Sequence, residues 1–389
     1  MGVHYLVRNL EHICGRLPFK ITFDTENESD PNINEYMQIG KGDLKYIGID
    51  GSVIIHSKII SENDNSVNIK KSTTQIVQTI LHYVRITIIY FNIFNKKDET
   101  VQDKEIILHF VIDGKPPCNK NRRKILDEEG NETYKKDAYS LMPLDQKEKL
   151  HRKIIKYLNK ELLFFNTSNN NKTGYKIKLL TNFNLNEKKR GEGEIQLYKV
   201  CQLLNKKFQH SSPLAKNVII SSDSDLISLM LLHQDNNLVV ISPLSKNIYI
   251  TNYKLVINAL NLRKKNQVIE YVLLHFIFFG SDYNLGLMSN PNDSKQKVIL
   301  NAVTQQIHNI NDIGRNCIRK CRKRKYNDDD VESSPIDFLQ KFKELLIYEA
   351  ICAFMYYYDI ENGLNYLTNY SPRLYEKFEA KKYISLLNF

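Results

Sequence analysis

A chain of 389 residues, 42% hydrophobic and with a formal net charge of +11, can bury one large core plus an appendage, and its basic balance favours a polyanionic partner. Its densest apolar run, Tyr271 to Phe279, is too short to span a bilayer and carries His275, which argues against a membrane protein. Six cysteines (Cys14, Cys118, Cys201, Cys317, Cys321, Cys352) are scattered and no secretory leader precedes them, so reduced thiols in an intracellular setting, cytoplasmic or nuclear, are expected instead of a disulfide framework.

From the amino terminus the pattern alternates. Helical periodicity over 3–13 leads to a strand at 45–50, where Tyr46-Ile47-Gly48-Ile49 ends in Asp50. A helix over 72–93 is followed by a strand at 106–112 that ends in Asp113, then a helix over 146–164 and a strand at 175–181. Gly191-Glu192-Gly193-Glu194 opens a helix over 193–207. The strand 217–222 ends at Asp223-Ser224-Asp225, which starts a helix over 224–234. Strands at 237–242 and 247–251 and an apolar helix over 267–279, ending in Gly280-Ser281-Asp282-Tyr283, complete the series. Strands alternating with helices predict a parallel sheet covered on both faces, with its site beyond the carboxyl ends of the strands.

Polar stretches at 25–34, 166–172 and 327–335 read as surface loops. The last follows the basic run Arg319 to Lys325 and marks a charged linker, 306–335, between a catalytic domain over 1–305 and a helical carboxy-terminal segment over 336–389. Cys317, Cys321 and His308 lack a fourth ligand at a recognisable spacing and are read as helix-face residues, not a zinc site. Met1-Gly2 followed by Leu6 does not meet the myristoylation pattern.

Seven acids therefore stand at the ends of apolar runs: Asp50, Asp113, Glu192, Glu194, Asp223, Asp225 and Asp282. Taken singly, each has an ordinary explanation. A strand-end Asp caps a helix or forms a turn, and Glu192 and Glu194 suit a helix amino terminus. Asp282 is the exception, because the carbonyl end of a helix repels an anion. Converging as a set, they would repel one another, and a hard cation such as magnesium offsets that repulsion.

In their order, Met1-Gly2-Val3, Asp50 with Ile54-Ile55-His56, Asp113-Gly114, Gly191-Glu192-Gly193-Glu194, Asp223-Ser224-Asp225-Leu226 and Gly280-Ser281-Asp282-Tyr283 resemble the 5′ nuclease superfamily over roughly residues 1–290. This superfamily includes the flap endonucleases and the Xrn 5′→3′ exoribonucleases. The motifs are a mosaic. Gly-Glu-Gly-Glu, His56 and the interval from Glu192 to Asp223 (223 − 192 = 31 residues) are Xrn-like, whereas Asp113-Gly114-Lys115-Pro116-Pro117 and Gly280-Ser281-Asp282-Tyr283 are similar to flap endonucleases.

The resemblance implies an α/β fold of the PIN-like 5′ nuclease type, a mainly parallel sheet flanked by helices with a small helical carboxy-terminal segment. It implies two Mg2+ ions, with Mn2+ as substitute, in a pocket of the seven carboxylates. It also implies that Lys120 neutralises the scissile phosphate, that Arg122, Arg123 and Lys124 hold a 5′ phosphate, and that Gly2 and His56 contact substrate. The expected activity is an Xrn-like 5′→3′ exonuclease on single-stranded 5′-monophosphate RNA. A flap endonuclease-like, structure-specific DNA nuclease is the first alternative, and a catalytically silent nucleic-acid-binding scaffold the second.

Overall fold

The computed structural model describes residues 20–21, 42–60, 67–94, 104–114, 125–126, 132–133, 139, 142–167, 175–183, 191–208, 215–244, 247–260, 262, 264–284 and 335–368. Its strands are β1 (Lys20–Ile21), β2 (Asp43–Asp50), β3 (Lys104–Val111), β4 (Ile125–Leu126), β5 (Glu132–Thr133), β6 (Tyr175–Thr181), β7 (Ala215–Ile220), β8 (Leu238–Leu244) and β9 (Asn247–Asn252). Its helices are α1 (Gly51–Lys58), α2 (Ile69–Phe94), α3 (Leu144–Thr167), α4 (Gly193–Phe208), α5 (Asp225–His233), α6 (Tyr253–Ala259), α7 (Lys265–Phe279), α8 (Pro335–Tyr358) and α9 (Gly363–Thr368). The anticipated helix at 3–13 and the 306–335 linker lie outside the described residues, except Pro335, which starts α8.

Seven strands form one sheet in the order β1-β9-β8-β7-β2-β3-β6, and β4 and β5 make a separate short ribbon. From β8 to β6 all neighbours run parallel. In β2, at the centre, Leu44, Tyr46, Ile47 and Ile49 are fully buried, which explains an apolar run with no alternation. The outermost strand β6 alternates buried and exposed positions along its first four residues, as an edge should.

One element departs from the parallel expectation. The strand β9 pairs antiparallel with β8, from Leu244 opposite Asn247 to Val239 opposite Asn252. Only two residues separate the two strands, and a parallel crossover needs a dozen or more, so the chain turns back as a hairpin.

Helices cover the sheet in two groups. One comprises α1, α2 and α3, with α2 also packing on β2. Along α2, Ile76, Val77, Ile80, Leu81, Val84, Ile88 and Phe91 make one buried stripe at helical spacing, and Asn68 caps the start by accepting from the Lys71 N–H at 2.9 Å. The other group comprises α4, α5, α7 and α8, with α4 against β2, β3 and β7. In the last turns of α8, Ala350, Ile351, Ala353, Phe354, Met355 and Tyr357 are all buried, so this stretch is apolar nearly all round and lies inside the same core. Its Phe354 and Tyr357 rings pack on Phe276 of α7, with centroids 6.1 and 5.6 Å away.

Candidate metal centre

Strand direction and register assemble the site. Asp50 ends β2 opposite Val111 of β3, and Ile49 is opposite Ile220 of β7, so three parallel strands finish at one level. Asp113 lies two residues beyond β3, Ser221 directly follows β7, and Asp223 lies three residues beyond it. The chain can turn sharply after Asp50 because residue 51 is glycine: a Cβ there would stand 2.4 Å from the Val111 carbonyl oxygen and 2.6 Å from the Phe110 ring.

Asp50, Asp113 and Glu194 form the tightest group, each offering a carboxylate oxygen within 4.8 Å of the others. Asp50 also caps α1: its backbone is extended, and its Oδ1 accepts from the Ser52 N–H at 3.1 Å. Its Oδ2 accepts from the Ser221 hydroxyl at 2.9 Å. Asp113 Oδ1 accepts the Gly193 N–H at 2.7 Å, while the Asp113 N–H donates to Ser52 Oγ at 2.8 Å. The Gly114 N–H donates to the Gly191 carbonyl at 2.7 Å, fastening the loop after β3 to the start of α4. Asn182 completes that fastening, bonding both main-chain groups of Ile112 at 3.0 and 2.8 Å and the Gln196 side chain at 2.8 Å.

The remaining acids continue the cluster. Asp223 holds the first turn of α5, accepting from the Asp225 N–H at 3.2 Å. Its charge acts on Asp50 and Glu194 on one side and on Asp225 on the other, so it joins the two halves. Glu192 is buried and accepts hydroxyl hydrogen bonds on both oxygens, from Tyr283 on Oε1 and from Tyr356 at 3.0 Å on Oε2. The Tyr357 hydroxyl donates to Asp225 Oδ2.

Buried Asp282 reaches this half on a tight loop after α7. That loop resolves the difficulty of an acid beyond a helix carboxyl end. Gly280 adopts a φ of 76°, and the Phe276 carbonyl accepts both the Gly280 N–H at 3.2 Å and Asn284 Nδ2 at 2.8 Å, so a helix-end carbonyl near the acid is doubly bonded.

Burial dominates the electrostatics. Desolvation and the neighbouring Asp113 push Asp50 up to about 7, against the Ser221 hydrogen bond and a hydrogen bond with Glu194. Glu194 is held well above the usual carboxylate range by burial and then by Asp50, Asp113 and Asp223. Asp225 is raised well above it by burial, Asp223, Asp282 and Glu192. Burial and mutual repulsion thus favour the protonated forms of Asp50, Glu194 and Asp225 over the charged ones. A divalent cation would replace those protons, and the hard oxygen donors present suit magnesium or manganese.

Three solved structures are distantly similar to this chain. The catalytic core of Rad2 in complex with DNA substrate matches with a TM-score of 0.37 at 16% identity, over 82% of this chain and 80% of that one. A second structure of the Rad2 catalytic core matches at 0.34 and 15%, over 94% and 99% of the two chains. Human GEN1 in complex with Holliday junction DNA matches at 0.32 and 13%, over 84% and 75%. At these values the likeness is distant. No family model and no curated protein matches the sequence.

All seven acids singled out in the sequence thus fall in one region of the molecule. His56 is exposed on the last turn of α1, edge-on to the Tyr139 ring at 4.9 Å, so it is not a core residue despite its apolar neighbours. Tyr139 in turn bonds His151 Nε2 at 2.7 Å. Gly2, Lys120, Arg122, Arg123 and Lys124 lie outside the described residues.

Sequence reasoning missed Ser221, Asn182, Tyr356 and Tyr357. Ser221 and Asn182 stand directly after strands and could have been flagged by position. The two tyrosines sit in an apolar run that reads as core. Among the described residues no helix is long and apolar enough to cross a membrane.

Proposed function

We propose that the protein is a divalent-cation-dependent nuclease that hydrolyses phosphodiester bonds in nucleic acid. The observation that carries this reading is the convergence of Asp50, Asp113 and Glu194 within 4.8 Å at the ends of parallel strands, with acids raised by burial and by one another. Asp50, Asp113 and Glu194 would hold one magnesium ion, and Asp223, Asp225, Asp282 and Glu192 would complete the site for a second, directly or through water. Bound there, magnesium supplies the charge that activates a water and steadies the phosphate oxygens.

The chain's own residues do the rest. Backbone N–H groups of Ser52 and Gly193 and the Ser221 hydroxyl fix the carboxylates in place, as preorganisation requires. Burial keeps Asp50, Glu192, Glu194, Asp225 and Asp282 out of bulk water, which strengthens their hold on any cation, while Asp113 is exposed and Asp223 half-buried. Lys120 would neutralise the scissile phosphate, and Arg122, Arg123 and Lys124 would hold a 5′ phosphate. Along α3, Lys149, Arg152, Lys153 and Lys156 recur at helical spacing and line one shallow pocket with Asp145, a cationic stripe suited to a phosphate backbone.

A structure-specific DNA nuclease is the substrate reading to test first. The similar structures contain DNA, which sets the order of trial and decides nothing more. A 5′→3′ exoribonuclease is the second reading, favoured by Gly191-Glu192-Gly193-Glu194 and by the exposed His56 beside Tyr139, a pair that could stack on a base. End-labelled 5′-flap DNA and 5′-monophosphorylated single-stranded RNA, each incubated with Mg2+ and with chelator, test both. Chelator-sensitive flap cleavage selects DNA, and release of mononucleotides from RNA selects the exoribonuclease. Binding without cleavage of either leaves a silent scaffold and removes the nuclease.

A further inference from the structure

We propose that Tyr356 and Tyr357 of α8 are positioning residues for the carboxylates of the metal centre, which makes the carboxy-terminal helix part of the site. The inference deepens the cation-dependent reading above and rests on it.

Both tyrosines are buried, at 7% and 0% exposure, and both hydroxyls end on acids of the cluster, Tyr356 on Glu192 and Tyr357 on Asp225. A buried tyrosine hydroxyl needs a partner, but a main-chain carbonyl satisfies it at lower cost than a buried carboxylate. Consecutive residues on a helix diverge by about 100°. Two such hydroxyls can reach two acids of one cluster only because α8 lies across it. Tyr283 takes the other oxygen of Glu192, leaving that side chain bonded at both oxygens and fixed in orientation.

The two halves of the centre are therefore held differently. Asp50 and Asp113 are fixed by main-chain N–H groups and serines at strand and helix ends. Glu192 and Asp225 are fixed by aromatic hydroxyls from far along the chain, Tyr356 164 residues and Tyr283 91 residues from Glu192, and Tyr357 132 residues from Asp225. Ligands held by outer partners in this way lose about 10–100-fold in metal affinity when the partner is removed. The loss should fall on the Glu192–Asp225 half.

The sequence contains 23 tyrosines and no tryptophan, so terbium luminescence excited in the aromatic band reports tyrosines near the ion. The experiment titrates Tb3+, and separately Mg2+ in the cleavage assay, into the full chain and into Tyr356→Phe, Tyr357→Phe and the double variant, with thermal melting of each cation-free protein alongside. The expected result is a lower plateau of luminescence, and a Tb3+ midpoint and Mg2+ half-activation raised about tenfold or more. Cleavage should recover at high Mg2+ and melting should change little. Either single variant serves if the double variant does not fold.

Unchanged midpoints for both cations in correctly folded variants would overturn the assignment and leave the tyrosines as core residues. Wild-type protein that takes up no Tb3+ and ignores Mg2+ would overturn the cation reading itself, and this inference with it.

Discussion

Replacing Asp50 with asparagine should stabilise the cation-free protein at alkaline pH. The carboxyl of Asp50 is raised from 3.8 to about 7, chiefly by burial and by Asp113. For an acid whose folded value exceeds its unfolded one, the folded state binds more protons over the interval between them, so stability falls as pH rises through that window. Below about pH 4 the effect is absent. Above about pH 7 it is complete and amounts to about 4 kcal/mol of destabilisation, a rise of about three in pKa at 1.36 kcal/mol each, shared in practice with the coupled Glu194.

Asparagine removes that charge but supplies one oxygen where the carboxylate accepts from both the Ser52 N–H and the Ser221 hydroxyl. Losing one of these costs about 1–2 kcal/mol, leaving a gain of about 2–3 kcal/mol at pH 8. Unfolding entropy for 389 residues is about 0.8 kcal/mol/K, so the gain is about 2–4 °C in Tm. The assay is thermal melting of wild type and Asp50→Asn in chelator between pH 4 and 8, repeated in saturating Mg2+. The advantage of the variant should shrink towards pH 4, and Mg2+ should stabilise wild type more than the variant. A variant less stable than wild type at pH 8 in chelator, or a wild-type Tm that does not fall from pH 5 to 8, would refute the electrostatic account.

Three further outcomes are expected. Asp225→Ala or Asp223→Ala should lower cleavage by at least about 100-fold while nucleic-acid affinity holds or rises, since a ligand and a negative charge near phosphate go together; filter binding and single-turnover rates separate the two. Reversing Lys149, Arg152, Lys153 and Lys156 to glutamate should weaken binding and flatten its salt dependence by about 2–4 in the log–log slope, with the rate at saturation unchanged; an unaltered slope would remove α3 from the interface. Gly51→Ala should destabilise by about 3 kcal/mol, because the new Cβ falls 2.4 Å from the Val111 carbonyl oxygen, and denaturant unfolding measures it.

Much of the parallel sheet and its acids was legible because a buried strand ending in aspartate is a local pattern: Ile47 and Ile49 before Asp50, and Ile219 and Ile220 before Asp223. The direction of β9 was not, since its own residues suit either pairing and the short connection decides. The capping reading of Asp50 and its place in the carboxylate cluster turned out to be compatible, with both oxygens used. Tyr356 and Tyr357 were illegible for a different reason: at apolar helical spacing a tyrosine is indistinguishable from any core ring until its hydroxyl partner, far away in sequence, is known.

The position of α8 also orders events during synthesis. A nascent chain exposes Asp50 and Asp113 early, yet Tyr356 and Tyr357 follow roughly 300 residues after Asp50. Vectorial folding can assemble the strand-borne acids before α8 arrives to cover Phe276 and to seat Glu192 and Asp225. Until then an apolar face on α7 stands open beside an acidic cluster with half its supports missing. On the proposed reading, the Glu192–Asp225 half of the cation site would therefore gain its aromatic supports late, when α8 docks.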